Sequence, residues 1–129
     1  YVKDMLIEMH TLSQMVNTLV LPAAFSYYGK LAEAASHAKS AGISIIPQVE
    51  AANEVGGRIE ELRSRGSELE AIIESAEGMH DKLEKQAKFL TAKGADAMAA
   101  ARETCDALEL IVADESWPLP KYREMLFPV

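Results

Sequence analysis

The run ANEVGGRIEELRSRGSELEAIIESA, residues 52–76, decides the fold. Ala52, Val55, Ile59, Leu62, Gly66, Leu69, Ile73 and Ala76 recur at steps alternating between 3 and 4 residues, which holds one face of an α-helix apolar. A strand would need apolar residues at every second position, and the run does not show that period. The residues between the seam positions are largely charged: an acidic run from Glu50 to Glu84 is broken by Arg58, Arg63, Arg65, Lys82 and Lys85, the pattern of a solvated face laced with i,i+4 pairs. Gly56, Gly57 and Gly66 each weaken the helix by roughly 1 kcal/mol relative to alanine. Small residues on the seam also let a neighbouring helix come close, so the helix need not break there.

The same period extends in both directions. Upstream, Met5, Met9, Leu12, Val16, Leu19, Ala23, Tyr27, Leu31, Ala34 and Ala38 form a seam with one stutter beside Pro22, where a kink is expected. Ala41-Gly42 closes that helix, and Ser44 and Pro47 suit the first turn of the next. Downstream of a stop at Gly78, a third seam runs Met79, Leu83, Ala87, Leu90, Gly94, Ala97, Ala101, Thr104, Leu108 and Ile111, widened by Phe89, Met98, Cys105 and Val112. The expectation is all-α: one helical domain over 1–129, an antiparallel bundle or hairpin of three long helices at 1–41, 44–77 and 79–113. A Pro/aromatic tail, 114–129, follows; Pro118 and Pro120 keep it from continuing the third helix.

With 129 residues, 49 % hydrophobic and 26 % charged, the chain can build a core without disulfides, which excludes disordered and collagen-like classes. A net charge of −7 opposes phosphate backbones and anionic lipid, so neither nucleic acid nor a membrane surface is an expected partner. The single Cys105 fits a reducing compartment, and a cytoplasmic location is expected. The stretch between Glu8 and Lys30 carries no charge, but Pro22 and seven polar side chains argue against a membrane span. The chain opens on Tyr1 with neither an initiator Met nor a cap, as a piece of a longer protein would.

Catalytic chemistry is sparse. Glu77-x-x-His80 copies half of a di-iron carboxylate motif, but the motif must occur twice and here straddles a loop, so no metal site is expected. Glu33 and His37 read as a surface pair one turn apart. Cys105 reads as a buried inert thiol, and His10 as a hydrogen-bonded packing residue. Gly56-Gly57 lacks the strand before and the Lys-Ser/Thr after that a phosphate loop requires. No catalytic, cofactor-binding or metal-binding residue is assigned.

Two ends of the chain carry a resemblance. Ile7-Glu8-Met9-His10-Thr11, then Leu21-Pro22-Ala23-Ala24, Tyr28 and Leu31, resembles the start of the C-terminal region of type III glutamine synthetases. Trp117-Pro118-Leu119-Pro120-Lys121-Tyr122 with Leu126-Phe127 is similar to the terminus of that family, and Ala107–Val112 leads into it in the same way. The sequence departs from the family pattern at Met9-His10, and its middle hairpin is short. The resemblance implies a parent enzyme joining ammonia to glutamate with ATP and Mg or Mn, in ring-shaped homo-oligomers, with all of its ligands upstream. This region would then be an accessory helical domain with a structural or assembly role, partnered by the catalytic domain of its own chain and by neighbouring subunits. The uncharged stretch from Met9 to Gly29 has too little charge for a free solvent face. Leu12, Val16, Leu19, Phe25 and Tyr28, with Trp117, Tyr122, Leu126 and Phe127 of the tail, are therefore the interface candidates. The alternative is a stand-alone coiled-coil module that binds a partner helix.

Overall fold

The structure, a computed structural model, describes residues 1–121, and among them there is helix and no strand. The first helix runs from 2 to 40 as Val2–Met15, a single π turn Val16–Val20, and Leu21–Ser40. The second is Ile46–Glu77. The third covers 83 to 111 as Leu83–Phe89, a π turn Leu90–Gly94, and Ala95–Ile111, and a short 3-10 turn follows at Asp114–Ser116.

Pro22 explains where the first π turn falls. Its missing N–H cannot complete the α-helical ladder, and Leu21 N–H instead donates to the carbonyl of Val16, five residues back. The extra residue turns the following side chains by one position. The sequence pattern put Leu19 and Ala23 on the seam; the structure buries Val20 and Ala24 and leaves Leu19 outward. At the other end Gly42 adopts φ +74°, while Ile43 N–H reaches back to the carbonyl of Ala38, the six-to-one bond of a glycine-terminated helix. Ser44 Oγ then accepts the N–H of Ile46, and Pro47 stands in the first turn of the second helix.

The third helix starts at Leu83 rather than Met79. The N–H groups of Gly78, Met79 and His80 still bond to the last carbonyls of the second helix, and Lys82 at φ −129°, ψ 71° makes the break. Buried Gln86 donates Nε2–H to the carbonyl of Ala76 (2.8 Å), tying the new helix to the old one.

Contacts between the first two helices descend on one as they ascend on the other. His10 Nε2 lies 3.0 Å from Glu77 Oε2, Asn17 donates to Glu70 (2.6 Å), Val16 lies against Gly66, and the Tyr28 ring crosses Gly56. The third helix reverses again, with Gln86 at Ala76 and Arg65 donating to the carbonyl of Ala100 (2.8 Å). One core results, with Met9, Val16, Val20, Leu62, Leu69, Leu90 and Leu108 essentially inaccessible. In this register Ile111 meets the second helix near residue 54, so the first two helices continue beyond the third by roughly 12 Å. No helix among the described residues is long and apolar enough to cross a membrane.

One polar cluster interrupts the apolar interface of the second and third helices. Thr104, fully buried, donates Oγ1–H to Glu61 (2.9 Å) and accepts from Arg65 (2.9 Å), which also pairs with Glu61 at 3.0 Å. The Thr104 hydrogen bond, aided by the charges of Arg65 and Arg58, holds the Glu61 carboxyl below its ordinary value of 4.5 against the opposing effect of burial. A carboxyl lowered in the folded state contributes stability that is complete above that value and is lost as pH falls through the lowered one. Thr104→Val is expected to cost about 1–2 kcal/mol at pH 7. It should also flatten the loss of stability below pH 4.5, where Glu61 titrates. Urea midpoints of both proteins at neutral and acid pH check this; equal acid slopes would contradict it.

Candidate interaction surface

The sequence-derived interface candidates separate into three groups. Leu12, Val16 and Trp117 are taken up by the chain's own core, at 8, 1 and 9 % exposure. Leu19, Phe25 and Tyr28 remain exposed on the first helix, Phe25 to half its area. Tyr122, Leu126 and Phe127 lie outside the described residues.

Further large apolar side chains stand in water where the hairpin outruns the third helix: Ile43 (62 %), Ile46 (64 %) and Val49. Burying such side chains is worth about 1.5–3 kcal/mol each, and several stand exposed near this one tip. Sequence reasoning missed them because they fall where the periodic signal stops. The apolar run Ile43-Ser44-Ile45-Ile46 between two helix punctuators was the available clue.

A second feature is a groove of about 450 Å³ between the first and third helices, closed at one end by the tail. Ile7, Glu8, Thr11, Leu12, Met15 and Val20 form one wall, Arg102, Cys105, Asp106 and Glu109 the other, and Trp117 and Leu119 the end. The tail is fixed there by Lys121, which bonds to the carbonyl of Val112 and to Asp114 at 2.8 Å, and Lys30 donates to Ser116 (3.3 Å). Trp117 Nε1 is buried and meets no acceptor among the described residues. Burial, then the Asp106 carboxylate, pushes the Cys105 thiol up to about 11, which removes its nucleophilic form at neutral pH.

The remaining polar candidates pair with one another or with the backbone. Glu77 faces His10, its carbonyl lies 3.1 Å from His80 Nδ1, and Glu33 pairs with His37 at 3.9 Å on the surface. His10 is exposed, so it acts as a strap across the helix pair rather than as a packed residue. Among the described residues no three His, Cys, Asp or Glu side chains gather as a metal site would require.

A family model described as the glutamine synthetase C-terminal domain matches residues 1–39, the whole first helix but its last residue. Over 140 aligned residues the chain is 31 % identical to the type-3 glutamine synthetase of Dictyostelium discoideum. That alignment takes in 98 % of this chain and 18 % of the relative, so the chain spans less than a fifth of that protein's length. No solved structure matches it.

Proposed function

We propose that this chain, similar to the C-terminal region of a type III glutamine synthetase, is an accessory domain that helps a glutamate–ammonia ligase to assemble. In this reading the parent joins ammonia to glutamate with ATP and Mg or Mn in the cytoplasm, and the body outside this chain holds the nucleotide and metal. The residues here offer no clustered metal ligands among those described, so no chemical step is assigned to them. The domain acts as an antiparallel three-helix bundle whose first two helices reach past the third and present an apolar tip to a neighbouring subunit in a homo-oligomer.

The observation that supports this best is the exposure of Ile43 and Ile46 at that tip, with Phe25 and Tyr28 further along the first helix. Large apolar side chains left in water on a charged protein are retained against a solubility cost, which a subunit contact would offset. Both isoleucines are more than half exposed, so replacing them should not disturb the domain's own packing.

The test uses the full-length enzyme carrying Ile43→Asp and Ile46→Asp together. Native mass measurement is expected to show subunit association weakened at least about tenfold, since losing two apolar anchors costs more than 1.4 kcal/mol. Glutamine formation should fall in parallel with assembly, and the circular dichroism of the domain should stay unchanged. A fully assembled, fully active double variant would overturn the assembly role.

A further inference from the structure

We propose that the neighbouring subunit covers the hairpin tip with its own hairpin tip. Two copies of this chain pair about a twofold axis, Ile43, Ile46 and Val49 of one against the same side chains of the other, with Lys39 of each facing Glu50 of its mate. This rests on the reading of the tip as a subunit contact and names its occupant.

Three observations select a second copy. The first is charge. From 38 to 50 only Lys39 and Glu50 carry a formal charge, one of each sign, so this segment is neutral on a chain of net charge −7. Two copies of such a chain repel overall, and a neutral segment is where they approach at least cost. Lys39 and Glu50 are both exposed, and the nearby Glu33 and His37 pair with each other inside one copy. The second is placement. Ile46, Val49 and Glu50 are spaced three and four residues apart, so they share one face of the second helix. In the register in which the Tyr28 ring crosses Gly56, Lys39 comes level with Ile45, roughly 7 Å along the axis from Glu50. A twofold axis crossing the hairpin midway, beside Ile46 and Val49, reverses one copy against the other. It brings Lys39 of each level with Glu50 of its mate and leaves the apolar side chains between the two pairs. A self-pairing contact needs a patch complementary to itself, and opposite charges on either side of an apolar centre provide one.

The third is that the tip is set before contact. Gly42 at φ +74° turns the chain, Ile43 N–H donates to the Ala38 carbonyl at 3.0 Å, and Ile46 N–H donates to Ser44 Oγ at 3.3 Å. The two isoleucines are held outward by these bonds, so little ordering remains to oppose association.

The experiment is a charge exchange in the full-length enzyme, with association read by native mass measurement. Lys39→Glu sets acid against acid and Glu50→Lys sets base against base, each twice per contact. Either single variant should weaken subunit association at least about tenfold. The double variant restores opposite charges and should return to within about twofold of the parent, a rescue that a folding defect would not give. In a separate variant, Ile46→Cys treated with a short bismaleimide should join two copies of the same peptide, identified by mass spectrometry. Ile46 lies beside the axis and is 64 % exposed, so the domain should fold around the change. A double variant as weak as the singles, singles that assemble normally, or cross-links from position 46 only to other sequences would overturn the proposal. If Ile43→Asp with Ile46→Asp blocks assembly while the charge variants behave as the parent, the tip binds a different surface and only this pairing falls. If those aspartates leave the enzyme fully assembled, the assembly role falls and the pairing with it.

Discussion

Leu62→Ala lowers the unfolding free energy by about 3 kcal/mol, the middle of the range for truncating a fully buried leucine. Leu62 is inaccessible to solvent at the centre of the second helix, which packs against both of the others. Relaxation into the cavity is restrained from two sides. Glu70 is held to Asn17 on the first helix, and Arg65 is held to the Ala100 carbonyl on the third. The void therefore persists, and its lining loses contacts outright. Urea unfolding of the 129-residue chain should show the loss, with Tm lower by about 10–15 °C. Leu110→Ala serves as the control, because Leu110 is 86 % exposed and its truncation should stay within about 0.5 kcal/mol. A loss below about 1 kcal/mol for Leu62→Ala would mean that the helices can close the gap.

Gly94→Leu is expected to cost a similar amount, about 3 kcal/mol, by the opposite route of overfilling. A Cβ at Gly94 would lie 2.9 Å from Met5 Cε, 3.3 Å from Met9 Sδ and 3.4 Å from Leu90 Cδ2. The two nearest atoms belong to flexible methionine side chains, which can retreat by a few tenths of an ångström. Gly94→Ala should therefore stay within about 1 kcal/mol of the parent, its strain set against the better helix propensity of alanine. Leucine adds three more carbons in a place where Met9 is already fully enclosed. The first and third helices must then separate. Guanidinium unfolding of the two variants checks the contrast, and equal stability for alanine and leucine would show that Met5, Met9 and Leu90 repack to absorb the volume.

The middle of the fold was legible in sequence because its period is regular. Seven of the eight seam positions from Ala52 to Ala76 are buried, and Ala52 is half-buried. The first helix was legible up to Val16. The π turn then moved the buried row from Leu19 and Ala23 to Val20 and Ala24, a shift of one that a count of 3 and 4 steps registers only as a stutter. The start of the third helix was misplaced because Met79 and Leu83 continue the apolar period through a turn. Periodicity cannot tell a helix start from the apolar residues just before it, and the departing carbonyls of the second helix decide the matter. Thr104 stood on the seam as a polar residue facing a Glu61–Arg65 pair one turn apart, so the buried cluster could have been read from sequence. The groove could not, since it depends on how far the third helix and the tail stand from Ile7 and Met15.

The first two helices count differently. In the first, Met5, Val16, Tyr27 and Ala38 face inward every 11 residues; in the second, Val55, Leu62, Leu69 and Ala76 do so every 7. Eleven residues in three turns is about 3.67 per turn and seven in two is 3.5, on either side of the 3.6 of a straight helix. In the first helix the π turn Val16–Val20 supplies the extra residue between Val16 and Tyr27, so its longer count is set by that turn and the second helix keeps an unbroken seven-residue count.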